Sequence, residues 1–215
     1  MLPSSGRIKT PLHSGRIPSR AEPVSPPGPG SDEAAVRAVL GGDISQFEAL
    51  VRRHQRPIVG FLYRMVGDLD LALDLSQDVF VRVYASLDRY DARYRFTTWL
   101  YRIAANCAID HRRRRRVPTT SLDAPRRLED GERHAQPVGE EPDPERCYEA
   151  KEELGRLERS IRRLPAEYRE LVLLRHSAHL TYEEMAKVTG RPLGTVKNRL
   201  FRARETLRTL MEQES

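Results

Sequence analysis

The sequence lacks several features that would place the chain in familiar classes of protein. It has no run of about eighteen apolar residues, which argues against a membrane-spanning helix. Residues 1–20 are basic but lack the apolar segment of a secretory signal. The only two cysteines, Cys107 and Cys147, lack Cys-x-x-Cys spacing. We therefore expect a protein of the reducing cytoplasm without a disulfide framework.

Patterns that indicate catalysis are also scarce. No glycine-rich phosphate loop and no Ser-His-Asp arrangement is visible in the sequence. His176 and His179 could bind a metal ion together with Cys147, but no glutamate lies between the two histidines, as a metalloprotease motif requires. Two histidines near a helix end explain the pattern better. We expect no enzymatic activity, no metal or other cofactor and no small-molecule substrate.

Positive charge is what the chain has in excess. Lysine and arginine number 37 and aspartate and glutamate 31, which gives a formal net charge of +6 over 215 residues. Most of the basic residues are arginine. Because the planar guanidinium group matches phosphates and guanine edges, this bias favours a nucleic-acid partner.

The spacing of apolar residues divides the chain into two helical parts. Residues 1–30 are rich in proline, glycine and serine, and we expect them to be disordered. Residues 31–117 repeat apolar side chains at steps of three and four, which predicts about four helices. Residues 118–147 lack that period and are acidic, as is typical of a linker, and the period returns over 148–215. We predict an all-α protein of two small domains on a flexible linker.

The C-terminal part contains a helix-turn-helix pattern at residues 181–208. Thr181 and Glu184 have the spacing of a capping box, and Gly190 suits the end of a helix. In such a unit the second helix enters the major groove of DNA. An ordinary helical bundle with a solvated basic face would share much of this pattern. The residues expected to contact base edges are Lys197, Asn198, Phe201 and Arg202, and those expected to contact phosphates are Arg199 and Arg204.

A second basic surface is predicted at residues 97–116, which read TTWLYRIAANCAIDHRRRRR. On a helix, Leu100, Ala104 and Cys107 share a face that should be core. Just upstream, residues 89–96 interleave aromatic rings with arginines, which suits the binding of unstacked bases. The alternative is that Trp99 is a core residue and the arginines are merely solvated. A different face of the helix carries Trp99, Arg102, Asn106, Asp110 and Arg113.

Two long stretches resemble one protein family. Residues 74–116 resemble region two, and residues 164–208 resemble region four, of bacterial extracytoplasmic-function (ECF, group IV) sigma factors. The two resemblances, in this order, cover most of residues 40–210. They imply an alternative sigma factor that binds core RNA polymerase, reads the −35 and −10 promoter elements, and melts the −10 region. A stand-alone regulator that uses only the C-terminal part would leave the N-terminal helix without a role.

The resemblance also implies residue roles and partners. Region two would dock on the clamp helices of the largest polymerase subunit, region four would reach the polymerase flap, and the linker would follow the RNA-exit path. Promoter DNA and an anti-sigma factor would be the other partners. The loop Asp91–Arg95 lacks the glycine common in this family, so we expect an unusual base preference at the −10 element. The implied polymerase contacts are Asp74, Gln77, Asp78, Phe80 and Arg82. The implied −10 and melting residues are Tyr90, Arg93, Tyr94, Arg95, Phe96, Trp99, Arg102, Asn106, Asp110, Arg112 and Arg113.

Overall fold

A computed structural model describes residues 31–116 and 144–213, and the side chains of residues 31–114 and 152–213. Every regular element in these ranges is helical, which confirms the all-α prediction. None of the helices in these ranges combines the length with the hydrophobicity that a bilayer span requires. The predicted disordered segment 1–30 and residues 118–143 of the predicted linker lie outside the described residues. The helices are α1 (Asp32–Leu40), α2 (Ser45–Val66), α3 (Leu69–Ala85), a 3-10 turn (Leu87–Arg89), α4 (Phe96–Arg116), α5 (Pro144–Arg163), α6 (Ala166–His176), α7 (Tyr182–Thr189) and α8 (Leu193–Glu212).

The first helix of the C-terminal part begins before the predicted end of the linker. Helix α5 begins at Pro144, so residues 144–147 of the predicted linker are helical. Proline suits the first turn of a helix, because its fixed φ is already helical and its missing N–H would have no partner there. Apolar spacing detects only the turns of a helix that pack on a core, and it therefore misses such a first turn.

Helices α2, α3 and α4 pack together to form the N-terminal lobe, and α1 lies against α2. The turn between α2 and α3 depends on Gly67, whose φ of 85° is left-handed and favours glycine. Asp68 then caps α3 by accepting the N–H of Leu71 at 3.0 Å. The largest wholly buried side chains of this lobe are Leu50, Ile58, Phe61, Leu62, Met65, Phe96 and Leu100.

Helices α6, α7 and α8 form the C-terminal lobe, with α5 packed along α8. The predicted capping box is confirmed: Thr181 Oγ1 accepts the N–H of Glu184 at 3.2 Å, and Glu184 Oε2 accepts the N–H of Thr181 at 2.8 Å. Gly190 ends α7 with a left-handed φ of 65°. The second helix of the predicted helix-turn-helix is α8, whose buried residues are Val196, Leu200 and Ala203.

The two lobes pack directly against each other. Helix α7 lies against α4, and α5 and α6 lie against α2. The guanidinium group of Arg169 joins the lobes, because it donates to the carbonyl of Met65 in α2 at 3.0 Å and to the carbonyl of Leu164 at 3.1 Å. A cation at the last carbonyls of a helix is favourable, since they carry the negative end of the helix dipole. Arg64 of α2 adds a hydrogen bond to Glu158 of α5 at 3.2 Å.

Glu170, a buried residue of α6, makes the stability of the C-terminal lobe depend on pH. Burial raises the pKa of its carboxyl, although the positive charge of Arg191 opposes this effect. The folded state therefore holds the proton more tightly than the unfolded chain does, and ionisation of Glu170 lowers the free energy of unfolding as pH rises. We predict that Glu170→Gln matches the wild type below about pH 4 and is the more stable protein at neutral pH. Urea unfolding at a series of pH values tests this; a difference that stays constant with pH would contradict it.

Candidate nucleic-acid interface

The loop at residues 91–95 is held from beneath by aromatic rings. The Tyr90 ring packs on Phe96 and on Trp99, with ring centroids 5.8 and 5.5 Å apart. The Tyr90 hydroxyl donates a 2.5 Å hydrogen bond to the carbonyl of Tyr94, across the base of the loop. Burial, with the nearby charge of Glu33, raises the pKa of Tyr90, so its hydroxyl stays protonated and remains a donor.

Helix α1 supports the same loop from the other side. Asp32 pairs with Arg53 at 2.5 Å and with His54 at 2.9 Å, which fixes α1 on α2. Burial raises the pKa of Asp32, but the hydrogen bonds and charges of His54 and Arg53 outweigh it, so the pKa is lowered overall. Glu33 then accepts the backbone N–H of Phe96 at 3.4 Å. No pattern in the sequence indicates this contact, because 63 residues separate its two partners.

Phe96 is not a surface residue, and the prediction that its side chain contacts a base is wrong. Its exposed fraction is 0%. Helix α4 begins at Phe96, so this ring lies four residues before Leu100 on the core face that also carries Ala104. Trp99 is half-buried and packs against the core as well as against Tyr90, so little of its ring faces solvent.

Tyr94 is the exposed ring of this region, with 40% of its surface accessible. Of the four rings between residues 90 and 99, Phe96 is buried and Tyr90 and Trp99 are half-buried. Arg93 is exposed, but its Nη2 is held by the Asp91 carboxylate at 2.6 Å. The hydrogen bonds of Arg93 in turn lower the pKa of Asp91. The loop therefore presents one aromatic face beside a fixed ion pair.

The basic residues of α4 continue this surface along the helix. Asp110 lies 3.9 Å from Arg113, so the one acidic side chain of the predicted face is near a cation. Arg115 and Arg116 belong to α4, but their side chains lie outside the described residues. Of the predicted residues, Arg95, Arg102, Asn106 and Arg113 are exposed, and Asp110 and Arg112 are half-buried. The loop and this face together form what we call the strand-binding surface, which consists of Tyr94, Arg95, Arg102, Asn106 and Arg113.

Helix α3 presents an outward face that mixes charged and apolar side chains. Asp74, Gln77, Asp78 and Arg82 are exposed, as the predicted polymerase contacts require. Phe80 is only 7% exposed, so the prediction that its side chain contacts a partner is wrong. It lies on the core stripe of α3, one residue after Val79 and three before Val83.

Three apolar side chains on that outward face of α3 were not predicted from the sequence. Leu73, Val81 and Tyr84 are exposed, and Val81 has 67% of its surface accessible. Leu73, Gln77 and Val81 recur at four-residue steps, so they form one stripe on the side of α3 away from the core. Clustered exposed apolar residues indicate an interaction surface. In the sequence, these residues appear as a second set of apolar positions, which lies on a different side of the helix from the apolar stripe of the core.

Helix α8 exposes the residues predicted to read DNA. Lys197, Asn198, Arg202 and Arg204 are exposed, and Phe201 has 65% of its surface accessible. Arg199 is half-buried and pairs with Glu167 of α6, so its positive charge is partly neutralised within the C-terminal lobe. The face opposite the core stripe is therefore basic with one apolar ring, a combination that suits contact with base edges and thymine methyl groups in the major groove.

Both lobes are similar to known proteins. Residues 50–117 match the family model of sigma-70 region 2, and residues 154–207 match that of sigma-70 region 4. The chain is 34% identical to the ECF RNA polymerase sigma factor SigW of Bacillus subtilis over 174 residues, which covers 80% of this chain and 92% of the relative. It is 36% identical to the RNA polymerase sigma-H factor of Pseudomonas aeruginosa, covering 82% of this chain and 91% of the relative.

Solved structures show the same fold. CnrH in complex with the cytosolic domain of CnrY matches with a TM-score of 0.62 at 24% identity, over 86% of this chain and 99% of that one. RpoE of Bartonella quintana, in complex with the anti-sigma factor NepR, matches with a TM-score of 0.61 at 23% identity, over 77% of this chain and 96% of that one. With both lobes and their order matched, the chain belongs to the ECF RNA polymerase sigma factors of the sigma-70 family, and it directs promoter-specific transcription initiation.

Proposed function

We propose that this sigma factor divides promoter recognition between the two basic surfaces. The strand-binding surface captures a base that leaves the duplex at the −10 element, and α8 reads the −35 element in the major groove. Flipping a base costs a few kcal/mol of stacking, so the capturing site must offer a ring as well as positive charge. The observation that best supports this proposal is the position of Tyr94. Its ring is exposed, and its backbone carbonyl accepts a 2.5 Å hydrogen bond from the Tyr90 hydroxyl.

Polymerase binding is assigned to the outward face of α3. Exposed Asp74, Asp78 and Arg82 provide charge, and exposed Leu73 and Val81 provide apolar area. That combination suits docking on a helical partner, because an interface needs an apolar centre with a polar rim. We assign this face to the clamp helices of the largest subunit and region four to the flap.

We also propose a sigma-factor group, domain bounds and a cellular location for the chain. We propose that the chain is a group IV sigma factor with a region two domain at residues 31–117 and a region four domain at 148–215. It acts in the cytoplasm, where polymerase and promoter DNA are found, and has no catalytic activity of its own. An anti-sigma factor is a further proposed partner, since the solved relative RpoE of Bartonella quintana is bound to one. A pull-down from cells that recovers no such protein would count against that partner.

Transcription of genomic DNA by core polymerase of the source bacterium tests the proposed function. Full-length protein is added to core enzyme and fragmented genomic DNA, and transcript 5′ ends are sequenced. We expect start sites that share one −35 and −10 pair and are absent with core enzyme alone. A protein that only represses or activates would produce no such starts, and this result would refute the proposal.

Lys197 and Arg204 of α8 are expected to act differently in −35 recognition. Lys197→Ala should weaken binding to the cognate −35 duplex by about 1 kcal/mol, because a base-edge contact is lost. Arg204→Ala should weaken cognate and scrambled duplexes alike, because phosphate contacts carry no sequence information. Gel-shift titration of polymerase holoenzyme on both duplexes checks this. Equal losses for Lys197→Ala on the two duplexes would reassign Lys197 to phosphate binding.

A further inference from the structure

We propose that His179, in the turn between α6 and α7, binds a backbone phosphate of the promoter duplex beside the −35 element. The inference rests on the proposed reading of that element by α8. Among the residues that the structure describes, His179 is the only one other than glycine with a left-handed φ, at 53°. Its side chain is exposed, so packing on the core does not explain the presence of histidine.

The backbone bonds of this turn fix the left-handed conformation. Helix α6 ends at His176, and the chain then turns back so that the N–H of Leu180 donates to the carbonyl of Leu174 at 3.2 Å. A chain that returns to the last carbonyls of a helix commonly passes through a left-handed residue, which is usually glycine. Any other residue is strained there, because its Cβ approaches the following carbonyl oxygen. Strain of this kind is concentrated at functional sites, which directs attention to the His179 side chain.

The turn that carries His179 is firmly held. Its two neighbours in the chain, Ala178 and Leu180, are buried. Arg175 Nη1 donates to the carbonyl of Leu180 at 2.8 Å, and the capping box at Thr181 then begins α7. The imidazole of His179 is therefore presented from a fixed backbone, which lowers the entropic cost of binding a ligand.

This turn lies beside the part of α8 that is proposed to read DNA. Tyr182 is the first residue of α7, and Lys197 Nζ lies 5.9 Å from the centroid of its ring. The guanidinium carbon of Arg175 lies 5.2 Å from the same centroid. In a helix-turn-helix unit the first helix crosses the DNA backbone while the second enters the major groove. The start of α7 is therefore the place where a phosphate next to the −35 element would lie.

Basic groups of α6 and α8 act on the same turn. Partial burial lowers the pKa of His176, and the charges of Arg204, Arg175 and His179 lower it further. Arg204 is the residue of α8 that is expected to contact a phosphate and to bind without regard to sequence. Because cations that lie close together raise the local positive potential, this part of the surface attracts an anion.

The acidic residues that follow His179 belong to the first turn of α7. The carboxylate of Glu184 accepts the Thr181 N–H and the Thr98 hydroxyl, each at 2.8 Å, so it is held by groups of α7 and α4. Glu183 is exposed. Its charge is therefore the one that needs a control of its own.

Replacing His179 with glycine should change stability and DNA binding in opposite directions. Glycine relieves the backbone strain, so the melting temperature should rise by about 2–4 °C. The imidazole is lost as well, and cognate and scrambled −35 duplexes should be bound equally more weakly, because a phosphate contact carries no sequence information. Histidine side chains change charge between about pH 5 and pH 8, and an anion favours the protonated form. The loss of affinity should therefore be about three- to tenfold near pH 6 and less than about twofold near pH 8.

The test uses holoenzyme formed with the full-length protein, which is titrated onto both duplexes in gel shifts near pH 6 and near pH 8. Thermal unfolding of each free protein is followed by circular dichroism. His179→Arg keeps a cation at the turn and should bind both duplexes well at both pH values. His176→Gln removes the other imidazole from a helical position, and Glu183→Gln removes the exposed acid. Neither control should give the two opposite changes expected of His179→Gly.

Weaker binding near pH 6 and a higher melting temperature in His179→Gly, with binding restored in His179→Arg, would support the proposal. A melting temperature that is unchanged or lower in His179→Gly would overturn it, as would wild-type affinity at both pH values. A loss of affinity in His176→Gln but not in His179→Gly would also overturn it. If Lys197→Ala and Arg204→Ala leave duplex binding unchanged as well, the proposed role of α8 fails too. If those two variants weaken binding and His179→Gly does not, only the inference about His179 fails.

Discussion

Replacing Phe96 with alanine should destabilise the N-terminal lobe by about 3–5 kcal/mol, the usual cost of removing a phenyl ring from a core. The ring is 0% exposed and lies 5.6 Å from His54 and 5.9 Å from Trp99, measured between ring centroids. Its loss would leave a cavity beneath the loop that presents Tyr94. Because a domain is typically stable by only 5–15 kcal/mol, roughly, much of this margin would be gone.

Urea unfolding followed by circular dichroism measures the effect. Phe201→Ala is the matched control, because it removes the same ring from a site that is 65% exposed, and it should change stability by no more than about 0.5 kcal/mol. A Phe96→Ala protein that unfolds within about 1 kcal/mol of the wild type would contradict the core assignment. It would restore Phe96 as a candidate for base contact.

Replacing Tyr94 with alanine should leave stability almost unchanged but weaken capture of the −10 strand by about 1–3 kcal/mol, or roughly 5- to 150-fold. The ring is exposed, so the fold loses little, whereas an unstacked base loses its platform. Tyr94→Phe keeps the aromatic face and should bind as the wild type does. The comparison of the two variants separates stacking from the loss of a hydroxyl.

A gel-shift titration measures this second effect with holoenzyme and fork-junction DNA whose −10 element is single-stranded. The promoter is one identified by transcription of genomic DNA. Core polymerase is kept saturating, and its binding to each variant is measured separately. If Tyr94→Ala and Tyr94→Phe weaken strand binding equally, the ring is not the capturing group.

Some of the site was predictable from the sequence because it depends on local spacing. The basic face of α8 and the cap at Thr181 follow from helical period and from a capping motif of four residues. Phe96 was misassigned because one extra residue at the start of α4 moves it onto the core stripe. Phe80 belongs to the same apolar stripe of α3 as Val79 and Val83, and this stripe predicts burial, whereas the polymerase contact came from the family resemblance alone.

Other parts of the site depend on contacts between distant residues. The hydrogen bond from Phe96 to Glu33 spans 63 residues, and that from Thr98 to Glu184 spans 86. No period or motif in either segment specifies its partner, since both contacts arise from the packing of whole helices. The position of Lys187 over Tyr94 has the same origin. Tertiary structure was therefore needed to identify Tyr94 as the exposed ring and to find the cation beside it.

Permanganate footprinting of a promoter complex tests the central claim, that Tyr94 captures a base during promoter opening. Core polymerase is combined with wild-type protein, Tyr94→Phe or Tyr94→Ala on a promoter that this sigma factor recognises. We predict reactive thymines between the −10 element and the start site with wild type and Tyr94→Phe, and a loss of that reactivity with Tyr94→Ala although polymerase binding persists. Thymine reactivity that is the same in all three complexes would contradict the account.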